Sequence, residues 1–329
     1  MQISASLIIK NEQEMLPKCL KSIKGVDEII VVDTGSDDDS IKIAKEHGAK
    51  VFTDYKWNDH FSEARNESKK HCTGDWLLII DGDEILESSI PAIRELIAKP
   101  FIKDKIIIMF DVNTGMEVNV QPRLFRNRPD IQWVGAAHNK LCYVRPGQPP
   151  VSIGASDDMY KSAFKIKANF SPNHRVDPDR TLRIMSKELA QGEAVIGRDQ
   201  YTRYLYYVSR EWLNRQSPIQ ALYFLSEYVK IAPPTNELAD AHFMMATCYQ
   251  NLGRLMDAVR AYLECIVILP SYKAAWAGLH NLGAPQTQKY WERMFHMADN
   301  DNVLFIRQEA EKLWKPEDKS KATKKPKKK

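Results

Sequence analysis

Short apolar runs alternate with segments of helical periodicity along residues 1–80. The runs predict strands because they are short and rich in Ile, Leu and Val, whereas the segments between them repeat apolar residues every three or four positions. The predicted strands are Ala5–Ile9, Glu28–Val32, Lys50–Phe52 and Trp76–Ile80. The predicted helices are Glu12–Lys24, Asp38–His47 and Phe61–Cys72. This alternation favours an α/β fold with a mostly parallel sheet flanked by helices.

Polar loops follow three of these strands. Lys10–Glu12 follows the first strand, Asp33–Asp39 the second and Asp81–Glu84 the fourth. Ligands of parallel sheets bind beyond the carboxyl ends of the strands, which meet at one edge of the sheet. We therefore expect the three loops to contribute to one binding site.

The second loop contains the sequence Asp-Thr-Gly-Ser starting at Asp33, which is the signature of an aspartic protease. Protease chemistry needs a second, facing aspartate, and the sequence has no other Asp-Thr-Gly or Asp-Ser-Gly. A nucleotide-binding turn fits better, because a carboxylate at a strand end accepts hydrogen bonds from a base or a ribose hydroxyl. The alternative is a helix start, in which Ser36 or Asp37 caps the helix and the acids through Asp39 complement its dipole.

The third loop, Asp81-Gly82-Asp83-Glu84, places two acids one residue apart directly after a buried strand. This arrangement suits a hard divalent cation, Mg²⁺ or Mn²⁺, which prefers oxygen ligands and keeps positions open for phosphate. Gly82 leaves room for a diphosphate to approach the backbone. An EF-hand is excluded, because Ile85 falls where that loop needs an oxygen ligand. A solvated acidic turn is the alternative.

Four segments occur in the order seen in family 2 glycosyltransferases of the GT-A fold. They are SLIIKNEQEMLPKCLKSI, DEIIVVDTGSDDDS, FSEARNES and DWLLIIDGDEIL. The sequence most resembles the branch that includes bacterial lipopolysaccharide-core glucosyltransferases and bacteriocin S-glycosyltransferases. The resemblance is strong over residues 3–86 and weaker over Arg123–Lys140, where RLFRNRPDIQWVGAAHNK is similar to a segment of that branch.

The resemblance implies a set of donor-binding residues and a metal. The residues implied to bind the nucleotide sugar are Ile9, Asn11, Glu12, Asp33, Arg65, Asp81, Gly82, Asp83, Arg123 and Arg126. Asp33 would contact the uracil or the ribose, and Arg65 the nucleotide or its diphosphate. Asp83, together with Asp81, would hold Mn²⁺ or Mg²⁺, which neutralises the leaving nucleoside diphosphate.

Two groups of arginines have structural alternatives. Arg65 has two helix neighbours, Glu63 and Glu67, with which it could form a surface ion pair instead of contacting the donor. Arg123 and Arg126 flank two apolar residues of the same segment and are surface charges in the alternative interpretation.

The resemblance also implies inversion of the anomeric centre, which requires a general base near the acceptor. The branch has a Glu directly after a His, whereas this sequence has His138 followed by Asn139, and an amide cannot act as the base. The catalytic candidates are therefore His138 and His174, with a structural or metal-binding His138 as the alternative. Asp111 and Asp157 are further candidates, and Trp133 is either a sugar-stacking residue or part of the core.

From about Val176 onward, long helical patterns replace the alternation of strands and helices. Two segments align with an offset of 37 residues, which brings the pair Ala221 and Pro233 onto Ala258 and Pro270. The pattern resembles a tetratricopeptide repeat, whose usual period is ~34 residues. A plain pair of helical hairpins is the alternative.

The charge is concentrated at the carboxyl end. Residues 315–329 contain eight Lys and two acids, so the rest of the chain is slightly acidic although the whole carries +4. Such a like-charged, polar tail does not fold by itself. It suits phosphate contacts with nucleic acid or anionic lipid, but no basic stripe in the body supports a dedicated groove.

The five cysteines lie far apart in the sequence and form no zinc-binding spacing. The first residues lack the basic region of a signal peptide, and no apolar run approaches the ~20 residues that a spanning helix needs. We therefore expect a cytoplasmic protein with reduced thiols.

The combined expectation is three parts: a GT-A catalytic domain over residues 1–175, a tetratricopeptide-like helical domain over 176–314 and a disordered Lys-rich tail over 315–329. The expected activity is metal-dependent, inverting transfer of a hexose from a UDP-sugar to a macromolecular acceptor, a glycan or a polypeptide, with glucose suggested by the branch. The helical part would dock this acceptor or pair two copies of the chain. The alternatives are a nucleic-acid acceptor, or a non-catalytic helical-repeat scaffold with a relic GT-A domain.

Overall fold

A computed structural model describes residues 1–115, 117–154, 157–169, 171, 176–283 and 285–298 of the chain. These residues form two compact units, and the second unit begins at Gly197. The first two helices after residue 176 fall within the first unit, and the predicted tail lies outside the described residues. The domain limits drawn from the sequence stay predictions.

The first unit is built on an eight-stranded mixed sheet. Its strands are β1 (Ile3–Ile9), β2 (Glu28–Asp33), β3 (Lys50–Phe52), β4 (Trp76–Ile79), β5 (Glu84–Leu86), β6 (Ile107–Asn113), β7 (Val118–Arg126) and β11 (Met159–Ala168), in the spatial order β3-β2-β1-β4-β7-β6-β11-β5. The strands β7 and β5 run antiparallel to their neighbours, and the other pairings in the sheet are parallel. The predicted α/β class with a mostly parallel sheet is confirmed.

Helices and a small second sheet cover the two faces of this sheet. The helices of the first unit are α1 (Leu16–Ser22), α2 (Ser40–Glu46), α3 (Phe61–Lys70), α4 (Ile90–Ile97), α5 (Arg180–Leu189) and α6 (Glu193–Ile196). The second sheet joins β8 (Ile131–Val134), β9 (Lys140–Tyr143) and β10 (Val151–Ser152). One apolar core lies between the large sheet and α1 and α4, and another lies between that sheet and β8 and β9.

The helix α1 begins at Leu16, later than the predicted start at Glu12. Pro17 occupies the first turn, where a residue without an N–H is tolerated. The residues before it form a turn instead, in which the Met15 and Leu16 N–H groups donate to the Glu12 carbonyl at 3.1 and 2.8 Å. Apolar spacing alone did not reveal this turn.

Helices are the regular elements of the second unit within its described residues, 197–283 and 285–298. They are α7 (Arg198–Asn214), α8 (Pro218–Ile231), α9 (Asn236–Asn251), α10 (Leu255–Ile268), α11 (Lys273–Leu282) and α12 (Pro285–Met297). Both ends of α10 lie 37 residues after the corresponding ends of α8, and α11 begins 37 residues after α9. The buried pair Ala221 and Tyr228 of α8 recurs in α10 as the buried pair Ala258 and Cys265. The 37-residue offset of the sequence thus recurs in the helix boundaries, and the tetratricopeptide-like interpretation stays a prediction.

Within the described residues, no helix is both long enough and apolar enough to cross a membrane. All five cysteines are buried, and none of them forms a disulfide.

A close contact between repeats leads to a stability prediction. A Cβ atom at Gly278 of α11 would lie 2.3 Å from Cζ of Tyr262, whose ring is buried and whose hydroxyl donates to Gln250. We expect Gly278→Ala to lower the free energy of unfolding by ~1–3 kcal/mol through overpacking, despite the ~1 kcal/mol that Ala contributes in a helix. Thermal unfolding followed by circular dichroism measures the change.

Gly154→Ala is the matched control, because a Cβ atom at Gly154 meets nothing within 4 Å. It should stay within ~0.5 kcal/mol of the wild type. Equal stability of the two variants would show that the Tyr262 ring moves aside freely.

Candidate functional site

The loops after β1 and β2 are joined by side-chain to backbone hydrogen bonds. The Asn11 N–H donates to Oγ of Ser36 at 2.8 Å, and Oδ1 of Asn11 accepts from the Asp37 N–H at 2.9 Å. The Glu12 N–H donates to Oγ of Ser40 at 2.7 Å. Asn11 therefore shapes the loop with its amide oxygen. The positive φ of Asn11 suits this role, because Asn adopts the left-handed region more readily than most residues.

Asp33 ends β2 with a buried carboxylate of which only one oxygen is used. Oδ1 accepts from the Gly35 and Ser36 N–H groups, both at 3.0 Å. Oδ2 is also buried, and no group in the described part of the chain bonds to it. A buried carboxylate oxygen without a donor is costly. The arrangement therefore prepares Asp33 to accept a hydrogen bond from a ligand.

The prediction that Ser36 or Asp37 caps the helix is wrong. The helix α2 begins at Ser40, its N-terminal cap is Asp39, and that cap makes no side-chain hydrogen bond to the helix. Ser36 and Asp37 bond to Asn11 instead, whereas Oδ1 of Asp38 accepts from the Ser40 N–H at the start of α2 at 2.9 Å.

Asp81, at the carboxyl end of β4, lies between two arginines. Nη2 of Arg65 donates to Oδ1 at 2.9 Å and to Oδ2 at 3.3 Å, and Nη1 of Arg123 lies 3.8 Å from Oδ2. The interpretation of Arg65 as a partner of Glu63 or Glu67 is therefore wrong. Nε of Arg65 is buried and has no partner among the described residues, which leaves one N–H for a ligand.

Arg123 and Glu84 form a buried ion pair beneath Asp81. Nη2 of Arg123 lies 2.6 Å from Oε1 of Glu84, and Oε2 of Glu84 accepts from the Asp81 N–H at 2.9 Å. Burial raises the pKa of Glu84 to about 7, while Arg123 opposes this rise and Asp81 and Asp83 add to it. Arg123 is 5% exposed, so its interpretation as a surface charge is wrong. It supports Asp81 from within the protein.

Asp83 joins the end of β11 to this loop. Its Oδ2 accepts from the Ser171 N–H at 3.2 Å, and its carbonyl oxygen accepts from the backbone and side-chain N–H groups of Asn169 at 3.2 and 3.1 Å. Asp83 is 9% exposed. Its carboxylate is thus held at a fixed place on the edge of the sheet.

Gly82 packs against the first loop. A Cβ atom at this position would lie 3.0 Å from Cγ of Glu12 and 3.3 Å from Cγ2 of Ile9. Ile9, Glu12 and Gly82 are therefore neighbours, as their shared place in the predicted site requires.

The oxygen ligands available around Asp83 suit a cation that takes most of its ligands from phosphate. The described residues contain no cluster of three or more His, Cys, Asp or Glu that could hold a metal by itself. Mg²⁺ is commonly bound through one or two carboxylates and substrate phosphates, which Asp83 satisfies. Asp81 fits less well than predicted, because both of its oxygens face guanidinium groups. We infer that Asp81 binds Arg65 and Arg123 rather than the cation.

His138 lies in a loop fastened to the start of α3. The Phe61 N–H donates to the Ala136 carbonyl at 2.8 Å, and the Ser62 hydroxyl donates to the Gly135 carbonyl at 2.6 Å. His138 is exposed and has a positive φ of 43°. The same helix carries Arg65, so α3 fixes both residues. His174, the other catalytic candidate, lies outside the described residues.

Two residues from the sequence analysis lie away from this site, and a third, Trp133, lies beside Arg65, whose Cζ is 5.2 Å from its ring centroid. Arg126 stacks on Trp76 at the amino end of β4, with its Cζ 4.1 Å from the ring centroid, so the structure separates it from the donor site. Asp157 lies at that same far edge of the sheet, where its backbone carbonyl accepts a hydrogen bond from Nζ of Lys105. Trp133 is 6% exposed and packs edge-on against a phenylalanine of β7, so its sugar-stacking interpretation is wrong.

The sequence of the first unit matches a known family. Residues 4–133 match the family described as "Glycosyl transferase family 2". This stretch contains β1 to β4 and the loops that follow β1, β2 and β4. It also contains Arg65 and Arg123, the two arginines that contact Asp81. Residues 4–133 form a family 2 glycosyltransferase domain. Its fold is GT-A, as the resemblance implied.

Named relatives match this chain only in part. A TPR repeat-containing protein of Synechococcus elongatus is 42% identical over 142 residues, which are 42% of this chain and 34% of that protein. The prophage-derived glycosyltransferase SunS of Bacillus subtilis is 29% identical over 144 residues, again 42% of this chain and 34% of SunS. The chain thus matches about a third of the length of each relative.

Among solved structures, S. aureus TarS has a TM-score of 0.44 and 13% identity to this chain. The superposition covers 78% of this chain and 54% of that chain.

Glu84 is the functional residue that sequence reasoning missed. It was recognised only as the end of the acidic loop, although it begins β5, where Glu84 and Leu86 are buried and Ile85 between them is more exposed. A charged residue on the apolar side of a strand is a signal for a buried partner. The sequence does not say that the partner is Arg123.

The Arg123–Glu84 pair of the glycosyltransferase domain yields a prediction. Arg123→Met leaves the Glu84 carboxylate buried and unpaired, so we expect it to lower the free energy of unfolding by ~3–5 kcal/mol. Adding Glu84→Gln should recover part of this loss, because it removes the buried charge. Denaturant unfolding of the single and double variants measures both effects.

Arg126→Met is the matched control, because Arg126 lies on the same strand, stacks on Trp76 and donates to backbone carbonyls, and no described carboxylate forms an ion pair with it. It should cost less, ~1–2 kcal/mol, because it removes neutral hydrogen bonds and a cation–π contact and leaves no buried charge. An equal cost for Arg123→Met and Arg126→Met would contradict the buried pairing.

Proposed function

We propose that the glycosyltransferase domain transfers a sugar from a UDP-sugar to a macromolecular acceptor, a glycan or a polypeptide. The observation that carries this proposal is Oδ2 of Asp33, which is buried at the carboxyl end of β2 and bonds to no described group. An ionised carboxylate only accepts hydrogen bonds. A ligand at this point must therefore offer an N–H or O–H group, as a uracil ring or a ribose does.

The choice of uridine over other nucleosides rests on the family resemblance. Guanine also offers N–H groups to a carboxylate, so Asp33 alone does not separate UDP from GDP. A direct comparison of the two nucleotides is therefore part of the first experiment below.

The diphosphate of the donor fits the loop that follows β4. The N–H on Nε of Arg65 is available to a phosphate oxygen, whereas the space beside Cα of Gly82 is taken by Glu12 and Ile9. Asp83 would hold Mn²⁺ or Mg²⁺ beside it. When bound, the cation neutralises the charge that develops on the leaving nucleoside diphosphate.

We further propose that His138 is the general base of an inverting transfer. Its ring is exposed, and its loop is fastened to the helix that carries Arg65, so acceptor and donor can meet beside α3. A neutral imidazole is suited to removing a proton from an acceptor. His174 stays a prediction from the sequence.

The first test is calorimetric titration of UDP and GDP into the full chain, with and without Mn²⁺. We expect UDP to bind and Asp33→Ala to weaken binding about 10- to 100-fold, as expected for loss of a hydrogen bond to a charged group. Asp37→Ala is the matched control, because Asp37 is an exposed acid of the same loop. It should bind UDP as the wild type does.

Tighter binding of GDP than UDP would overturn the donor assignment. Failure of both nucleotides to bind, with and without metal, would overturn the proposed function and favour the scaffold interpretation.

The metal requirement is tested by donor hydrolysis, which needs no acceptor. With a panel of UDP-hexoses that includes UDP-glucose, we expect release of UDP to stop in EDTA and to return with Mn²⁺ or Mg²⁺. Asp83→Ala should abolish this release, whereas Asp39→Ala, at the exposed cap of α2, should not. Hydrolysis that continues in EDTA would contradict a cation at Asp83.

The base is tested with His138→Asn, because Asn tolerates the positive φ of this position. In the donor-hydrolysis assay, where water takes the place of the acceptor, we expect the rate of UDP release to fall about 10²- to 10⁴-fold. This is the usual contribution of general base catalysis. The dissociation constant of UDP should stay unchanged, since His138 would act on the acceptor. An unchanged rate would exclude His138.

A further inference from the structure

The helix α10 in the second unit carries apolar side chains on two sides. One side is buried and consists of Ala258, Ala261, Tyr262, Cys265 and Ile266. The other side is exposed and carries Met256 (70% exposed), Leu263 (38%) and Val267 (75%), with Leu255 (52%) beside them. A helix at a protein surface has one apolar stripe, whereas a helix that is apolar all round is covered on both sides.

The repeat itself does not require these exposed apolar residues. Positions 37 residues earlier, on α8, are equivalent to those on α10. Ser226 and Lys230 of α8 stand where α10 has Leu263 and Val267. Ile219 and Tyr223 of α8 are exposed at the positions of Met256 and Arg260, so the part of the apolar side around Leu263 and Val267 is what is particular to α10.

We propose that the exposed side of α10 pairs antiparallel with the same side of a second copy of the chain. The residues Met256, Leu263 and Val267 recur at helical spacing and form one apolar stripe, and Arg260 lies at its margin. In an antiparallel pair centred near the middle of the helix, Met256 of one copy lies opposite Val267 of the other. Two-fold symmetry makes the same apolar contact twice.

The charges beside the stripe are self-complementary in this arrangement. Arg260, whose side chain is 77% exposed, and the exposed Glu264 lie on the same flank of the helix. An antiparallel pair brings Arg260 of one copy opposite Glu264 of the other, and the reverse. On its own helix, Arg260 has only a long contact of 3.8 Å to Asp257. The stripe and its flank therefore fit a second copy better than an unrelated apolar surface.

A contact formed mainly by one pair of helices is smaller than a standard interface of ~1,600 Å². We therefore expect a dissociation constant in the micromolar range. Sedimentation equilibrium of the full chain over ~1–100 µM covers this range, and it should show a dimer that dissociates on dilution. The proposal does not depend on sugar transfer, so its test requires no donor.

Two charge-introducing variants test the apolar contact. Met256→Glu and Val267→Glu should each weaken the dimer about 100-fold or more, because each places an unpaired charge in the contact. Ile219→Glu is the matched control, since Ile219 is the α8 equivalent of Met256 and is 67% exposed. It should dimerise as the wild type does, and all three variants should keep the wild-type melting temperature.

A charge exchange tests the antiparallel orientation. Arg260→Glu and Glu264→Arg should each weaken self-association, about tenfold, because like charges then face each other twice. Mixing these two variants should restore dimers, since every facing pair is again opposite in charge. The combined variant R260E/E264R should also dimerise.

Three results would overturn the proposal. A wild-type chain that is monomeric up to ~100 µM would show that something else covers α10, such as residues 299–329 of the same chain or another protein. Loss of dimer in Ile219→Glu equal to that in Met256→Glu would place the contact elsewhere. Failure of the mixed charge variants to associate would exclude the antiparallel arrangement.

Discussion

The pairing of Asp81 with two arginines organises the edge of the sheet on which the candidate site lies. Arg65 reaches Asp81 from α3, and Arg123 reaches it from the neighbouring strand β7. Glu84 completes the group by balancing Arg123 and by accepting the Asp81 N–H. Breaking one member leaves another charge buried without a partner, which costs more than the pairing itself contributes. The position of the whole acidic loop therefore depends on this group.

The topology explains why this group could form. The strand β7 lies antiparallel between β4 and β6, so it delivers Arg123 to the carboxyl end of β4 from the opposite chain direction. The register sets which arginine arrives there. Arg126 faces Trp76 at the other end of β4, whereas Leu124 faces Leu78 in the middle. Arg123 and Arg126 are only three residues apart on β7, yet Arg123 lies beside the site and Arg126 stacks on Trp76 at the far edge of the sheet.

The sequence predicted the place of the site better than the role of each residue. Loops after parallel strands meet at one edge regardless of detail, so the grouping of Asp33, Asp81 and Asp83 followed from the order of elements. The antiparallel register of β7 left no signal in the sequence, and Arg126 was therefore placed with Arg123. Pairings between distant residues, such as Arg123 with Glu84, depend on packing that periodicity does not describe.

The balance of charge at the site also bears on the need for a metal. Two guanidinium groups, those of Arg65 and Arg123, are already matched by the carboxylates of Asp81 and Glu84. Asp33 and Asp83 add further negative charge at the same edge of the sheet. A diphosphate that enters this edge brings more negative charge and meets arginines that are already shared. A divalent cation at Asp83 supplies the positive charge that these side chains lack, and this is the physical reason to expect a metal with the donor.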